Sequence, residues 1–122
     1  MNKHLCLSLA IIAALGACKS AGTNPAIRAD ISAKLASAQE PIQRCYQSSL
    51  TTNRKLRGMY VVQMAAAPDG QFTEINLRRD EPADPVLRFC VIAELAKLKL
   101  EKPPGARIVI ESVPIKFEWS NP

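Results

Sequence analysis

The spacing of apolar residues switches between helical and strand periods along this chain, and the order of these switches limits its fold more than any other feature. From Ile27 to Cys45, apolar residues recur every three or four positions, which predicts a helix with Cys45 on its buried side. Pro41 interrupts this pattern and either kinks the helix or opens a second helix as its first residue. We expect helix on both sides of Pro41, ending between Leu50 and Asn53.

Two strands are predicted after this helix. Apolar residues alternate from Leu56 to Ala66, and because both alternating sets contain apolar side chains, we expect a central strand packed on two sides. Residues Pro68 to Gly70 favour a turn. The next stretch, Phe72 to Arg79, alternates apolar with polar side chains, so we expect a hairpin with one solvated face.

A second helix and a third strand complete the pattern. Asp84 is a favourable N-cap before Pro85, and an apolar stripe that includes Cys90 follows it. This helix is expected to end before Pro103 to Gly105. The last strand is predicted from Ala106 to Trp119.

The apolar phase of this last strand shifts by one residue between Ile110 and Val113. Pro114 follows the shift and has no N–H to donate to a neighbouring strand, so we expect the strand to be bulged and to lie at a sheet edge. The predicted fold is therefore α+β, with two helices packed on a small three-stranded antiparallel sheet in the order α-β-β-α-β.

The first 17 residues are predicted to be a lipoprotein signal peptide. A basic start, Met1–His4, precedes the apolar stretch Leu5–Ala17, which is shorter than the about 20 residues that cross a bilayer core. The segment Leu15–Cys18 resembles the bacterial lipobox, which implies cleavage before Cys18, diacylglycerol on its sulfur and an acylated amine. An ordinary secretory signal or an uncleaved anchor is the alternative.

Residues 18–26 would then be the lipidated cysteine and a short tether, and residues 27–122 a periplasmic domain. The tether spans at most about 30 Å when extended, so the domain is expected to stay near the membrane. Lys19 stands where an aspartate would favour retention at the inner membrane. The sequence therefore indicates the outer membrane, with the domain facing the periplasm.

Cleavage would leave two unmodified cysteines, Cys45 and Cys90, and no histidine, since His4 is the only one in the chain. In an oxidising periplasm such a pair predicts one disulfide, which is worth roughly 4 kcal/mol in the chain-entropy account. Two helices packed on one sheet face would bring the sulfurs together. The alternative is a redox-active dithiol, but the chain has no Cys-x-x-Cys pair and no histidine to lower a thiol pKa.

Catalytic chemistry is not predicted. Without histidine the mature chain lacks the usual base of a nucleophile–base pair, and it has no metal-ligand cluster or phosphate-binding glycine loop. Three carboxylates, Asp80, Glu81 and Asp84, lie in one predicted loop, where capping and solvation explain them. We therefore expect no enzyme, no cofactor, no metal and no small-molecule substrate.

Basic residues outnumber acidic ones, and the formal net charge is +5. A solvated face accounts for most of these residues, and anionic lipid head groups or an acidic partner are the functional alternatives. We do not expect nucleic acid as a partner.

These features together resemble the C-terminal domain of the TonB/TolA superfamily, and in particular its AgmX/PglI type from gliding-motility envelope proteins. The matching features, which span Ile27 to Trp119, are Ile42-x-x-Cys45-Tyr46, Leu56-x-Gly58, Pro68-Asp69-Gly70, Cys90-Val91, Pro103-Pro104-Gly105 and Pro114-x-x-Phe117. The resemblance implies a periplasmic interaction domain without catalysis, which often takes a partner's segment as an added strand at a sheet edge.

The chain is expected to depart from TonB and TolA in its membrane attachment, because a lipid and a short tether would replace their inner-membrane helix and long spacer. Energy transduction is therefore not predicted, and partner binding remains. We expect Ile108, Ile110 and Ser112 to pair with the backbone of an envelope protein. The alternative is an accessory lipoprotein that places or stabilises a component of a secretion, pilus or motility machine.

Overall fold

A computed structural model describes residues 24–118 of the chain. In order, they form α1 (Pro25–Ser37), α2 (Gln39–Leu50), β1 (Gly58–Ala66), β2 (Phe72–Asp80), α3 (Pro85–Ala96) and β3 (Ile108–Phe117). The predicted α+β fold and its order of elements are confirmed, with the first predicted helix broken into α1 and α2. Within residues 24–118, no helix has the length and apolar character needed to cross a membrane. The signal segment, Cys18 and Trp119 lie outside the described residues.

The break in the first helix lies at Ala38, in the turn before Pro41, so Pro41 interrupts the helix as predicted but is not the first residue of the second helix. Pro41 is the third residue of α2. A residue with an N–H at this position would donate to the carbonyl of Ser37, four residues earlier, and proline cannot do so. The Ala38 N–H still donates to the carbonyls of Lys34 and Leu35, at 3.2 and 3.1 Å, and this closes the last turn of α1. The missing bond therefore separates the helices three residues before the proline.

The start of α1 also lies earlier than predicted, at Pro25 instead of Ile27. Pro25 is the first helical residue, where its fixed φ suits a helix and its missing N–H costs nothing. Asn24 precedes it as N-cap, and its Oδ1 accepts a hydrogen bond from the Ile27 N–H at 2.8 Å. Pro25 and Ala26, which the sequence places in the tether, are therefore the first residues of α1.

The sheet has the order β2-β1-β3, and the helices pack on one of its faces. Every second residue of β1 (Tyr60, Val62, Met64 and Ala66) is buried in the same core as the apolar residues of α2 and α3. Of the alternate set, Met59, Val61 and Gln63 are half-buried and Ala65 is buried, but none of them belongs to that core. Within residues 24–118 the core lies on one face of the sheet, so the expected packing of β1 on two sides was wrong.

The predicted disulfide is confirmed. Cys45 of α2 and Cys90 of α3 are bonded, with their Cα atoms 5.9 Å apart and a sequence separation of 45. The bond joins the two helices that cover the sheet and closes a long loop that contains β1 and β2. Closing a loop of this length restricts the unfolded chain, which is the usual account of how a disulfide stabilises a fold.

Candidate docking edge and groove on β3

β3 is an edge strand with a bulge, as the sequence predicts. Among the described residues it pairs only with β1, antiparallel, and the register changes between the pairs Val62–Val113 and Met64–Ile110. Between these pairs β3 has one more residue than β1, so the bulge lies at Glu111 and Ser112.

The register also shows which backbone groups of β3 point away from the sheet. The carbonyl of Met59 accepts a hydrogen bond from the N–H of Glu81, which continues β2, so the backbone groups of Met59 point towards β2. In an antiparallel ladder these directions alternate, so those of Tyr60 point towards β3. The backbone groups of its partner Ile115 therefore point inward, towards β1, and those of Pro114 point outward, away from the sheet. An outward position is where a strand tolerates proline, which agrees with this assignment.

The same alternation can be followed beyond the bulge. Ile110 and Ile108 pair with Met64 and Ala66, so their backbone groups point towards β1, while those of Val109 between them point outward. The predicted partner-pairing residues Ile108 and Ile110 thus lie on the exposed edge strand, but their backbone groups point towards β1. The outward backbone groups are those of Val109, which lies between them. Ser112 lies in the bulge. That a partner pairs here stays a prediction.

The opposite edge of the sheet is partly covered. At the start of β2, the Phe72 N–H donates to the carbonyl of Leu98 at 3.0 Å, and the Leu100 N–H donates to the carbonyl of Gly70 at 2.9 Å. The side-chain amide of Gln71 adds a hydrogen bond to the carbonyl of Ala96 at 2.7 Å. Within residues 24–118, no backbone hydrogen bond from another segment reaches the outer edge of β3. The β3 edge is therefore the more accessible of the two.

A groove of about 740 Å³ lies beside the C-terminal half of β3. One wall is formed by residues 113–117 of β3, and the other by α1 and the start of α2. Its apolar lining residues are Leu35, Ala36, Ile42, Leu95, Val113, Pro114, Ile115 and Phe117. No pattern in the sequence predicts this groove, because residues near position 35 meet residues near position 115 only in the folded chain.

The rim of the groove is polar and nearly balanced in charge. Gln39 and Gln43 supply amides, and Glu40 and Lys116 supply one charge of each sign. Both charges have partners, since Glu40 lies 3.4 Å from Arg44 and Lys116 lies 3.8 Å from Glu118. An apolar groove with a neutral polar rim suits apolar side chains of a protein segment better than a highly charged ligand.

The three carboxylates of the loop after β2 have structural partners, as the capping interpretation predicts. Asp84 is the N-cap of α3, where its Oδ1 accepts from the Leu87 N–H at 3.0 Å. Asp80 pairs with Arg88 at 2.6 Å. Glu81 accepts from the Met59 N–H at 2.9 Å, and this hydrogen bond lowers the pKa of its carboxyl group.

Two buried tyrosines differ in their hydrogen bonding. The Tyr46 hydroxyl donates to the carbonyl of Leu56 at 2.6 Å, whereas the Tyr60 hydroxyl has no partner among the described residues. Burial raises the pKa of both hydroxyls above the ordinary value for tyrosine. Both stay protonated at neutral pH, so neither is suited to act as a base. Across residues 24–118, no group of three or more His, Cys, Asp or Glu side chains is placed to hold a metal ion.

Comparisons with known proteins give one similar fold. No protein family and no curated protein matches this chain. Among solved structures, the chain is similar to the C-terminal domain of TonB from Helicobacter pylori, determined in solution by NMR. The two are 19% identical, the TM-score is 0.46, and the match covers 70% of this chain and 84% of that domain.

Proposed function

We propose that this protein is a non-catalytic interaction module of the bacterial cell envelope, which binds a segment of a partner protein at the β3 edge and the adjoining groove. The single observation that supports this proposal is the combination of an uncovered edge strand with a large apolar groove beside it. Added strands gain affinity from backbone hydrogen bonds and specificity from side-chain pockets next to the edge. Both components occur here on one side of the domain.

The edge limits where a partner strand can pair. Val109 presents its N–H and carbonyl outward, but the bulge at Glu111 and Ser112 disturbs the ladder, and Pro114 offers a carbonyl without an N–H. A partner strand would therefore pair with the stretch from Ile108 to Ile110, before the bulge, and direct its remaining side chains into the groove.

The proposed location is the periplasmic side of the outer membrane, with a lipid on Cys18. This rests on the signal-like segment and on Lys19. Mass spectrometry of the protein purified from membranes tests it: we expect a mature N-terminus at Cys18 that carries diacylglycerol and an acyl chain. A mature protein that begins elsewhere, or that has no lipid, would contradict this part of the proposal.

The binding proposal is tested by crosslinking the tagged, full chain in its native membrane and identifying recovered proteins by mass spectrometry. The decisive variant is Val109→Pro, which removes an outward N–H that β1 does not use. Its matched control is Val109→Ala, which shortens the side chain but keeps the N–H. We expect one envelope protein to be recovered with the wild type and with Val109→Ala, and to be lost with Val109→Pro.

Folding of each variant is checked by circular dichroism and by the denaturant midpoint. If a folded Val109→Pro variant recovers the same protein as the wild type, pairing at this edge is excluded. A Cys18→Ser variant separates the role of the anchor from that of the edge, because it changes the proposed lipid site without altering the domain.

A further inference from the structure

We propose that α1 is a displaceable wall of the groove, which moves about Ala38 and thereby controls access to the buried side chains of Ile42 and Leu95 at the groove. The inference rests on the proposed function for what enters the groove, but the motion itself is a property of the described residues. Three observations support the proposal: the attachment of α1 to the domain, the break that separates α1 from α2, and the position of α1 in the wall of the groove.

The attachment of α1 to the domain is weak for a helix of its length. None of its 13 residues is buried, and only Ile31 and Leu35 pack against the core, where both are half-exposed. An isolated helix of this length is marginal in water. Because only two half-exposed apolar side chains of α1 pack against the core, its polar contacts supply a large share of its attachment.

Two polar side chains of α1, those of Asp30 and Lys34, bind one turn after α3. The Asp30 carboxylate accepts hydrogen bonds from the N–H groups of Glu101 and Lys102, at 2.9 and 3.3 Å. Lys34, one helical turn further along α1, pairs with the carboxylate of Glu101. One side of α1 is thus fastened to two adjacent residues of a solvent-exposed turn.

The connection to α2 favours motion at one point. Pro41 leaves the carbonyl of Ser37 without the bond that would continue the helix, and Ala38 makes no side-chain cap for α2. Ala38 itself is buried, so it stays with the core when α1 moves. The chain therefore has a fixed pivot that directly follows a loosely held helix.

Displacement of α1 would change the groove directly. Ser32, Leu35 and Ala36 of α1 form part of its wall, opposite residues 113–117 of β3. Without them, Ile42 and Leu95 at the groove would become accessible to a partner's apolar side chains. Because α1 also leads to the proposed membrane tether, a change at the N-terminus would act on this helix first.

Native-state amide hydrogen exchange on the full chain tests the motion. We expect the amides of α1 to exchange at least about tenfold faster than those of α2, through an opening that leaves the sheet protected. In an Asp30→Ala variant, α1 should exchange roughly tenfold faster again, since two hydrogen bonds to a charged group are lost. Alanine favours helix more than aspartate does, so faster exchange would report undocking and not a weaker helix.

The matched control is Asp69→Ala. Asp69 also accepts a hydrogen bond from a backbone N–H in an exposed turn, that of Gln71 at 3.0 Å, and this bond does not involve α1. This variant should leave the exchange of α1 unchanged. If α1 and α2 exchange together, with the denaturant dependence of global unfolding, α1 does not open separately and the proposal is overturned.

The crosslinking experiment tests whether this opening controls access. When the open form is a minor species, a tenfold rise in its population should raise apparent affinity by about tenfold. Asp30→Ala should then recover more partner than the wild type at limiting partner concentration. Faster exchange without increased recovery would exclude the control of access while leaving the docking function intact. Recovery of no protein by any variant would contradict the proposed function, whereas the exchange data would still decide whether α1 opens.

Discussion

The two helices that replace the first predicted helix differ greatly in how they are held. α1 and α2 follow one another with one residue between them and have 13 and 12 residues. α2 buries Ile42, Cys45, Tyr46 and Ser49, whereas α1 buries none of its residues. The comparison shows that apolar spacing can predict a helix without predicting how deeply that helix is packed. Four predictions, from the largest expected effect to the smallest, test how firmly these two helices and their neighbours in the fold are held.

The disulfide is the strongest restraint on α2. Replacing both Cys45 and Cys90 with alanine should lower the free energy of unfolding by about 4 kcal/mol, because the unfolded chain regains the freedom of a long loop. Chemical denaturation of the double variant and the wild type measures this difference. An unchanged denaturation midpoint would mean that the bond does not stabilise the fold.

Matched substitutions of one apolar residue in each helix test the contrast most directly. Ile42→Ala in α2 should destabilise the fold by about 3 kcal/mol, since it leaves a cavity in the core. Ile31→Ala in α1 should cost about 1 kcal/mol or less, because the side chain is half-exposed and the helix can relax around it. Equal losses, measured by urea denaturation, would show that α1 is an integral part of the core.

Tyr46 of α2 and Tyr60 of β1 form a second matched pair. Tyr46→Phe should cost about 2 kcal/mol, because the carbonyl of Leu56 loses its buried donor. Tyr60→Phe removes a hydroxyl without a partner among the described residues, so we expect no loss of stability or a small gain. The denaturation midpoints of the two variants measure the difference. A large loss for Tyr60→Phe would reveal a partner for its hydroxyl.

The N-caps of α1 and α3 should give the smallest effect. Asp84→Ala should lower global stability by about 1 kcal/mol, because α3 is buried in the core. Asn24→Ala removes a similar hydrogen bond from α1, but it should mainly increase fraying at the start of that helix. Denaturation reports the first effect, and amide exchange in α1 reports the second. A comparable loss of global stability for both variants would contradict weak docking of α1.

Most of the fold could be predicted from the sequence because its signals are local. Asp84 and Pro85 marked the start of α3, and the phase shift before Pro114 indicated a bulged edge strand. The position of the helix break could not be predicted as reliably. Proline disturbs a bond to a residue four positions earlier, so its effect appears at Ala38.

The candidate site could be predicted only in part. The edge strand was identified, but the direction of its free backbone groups depends on pairing with β1, which placed Val109 outward where Ile108 and Ile110 had been expected. A shift of one residue in register reverses these directions, and apolar spacing cannot detect it.

The sequence by itself determined which segments are helices and strands, where they are capped, and that two cysteines lie on faces that can meet. These properties depend on residues within a few positions of each other. The tertiary structure decided which strand edge is free, which backbone groups point outward, and how firmly each helix is held. It also formed the groove between α1 and β3, because that surface depends on contacts between segments that are distant in the chain.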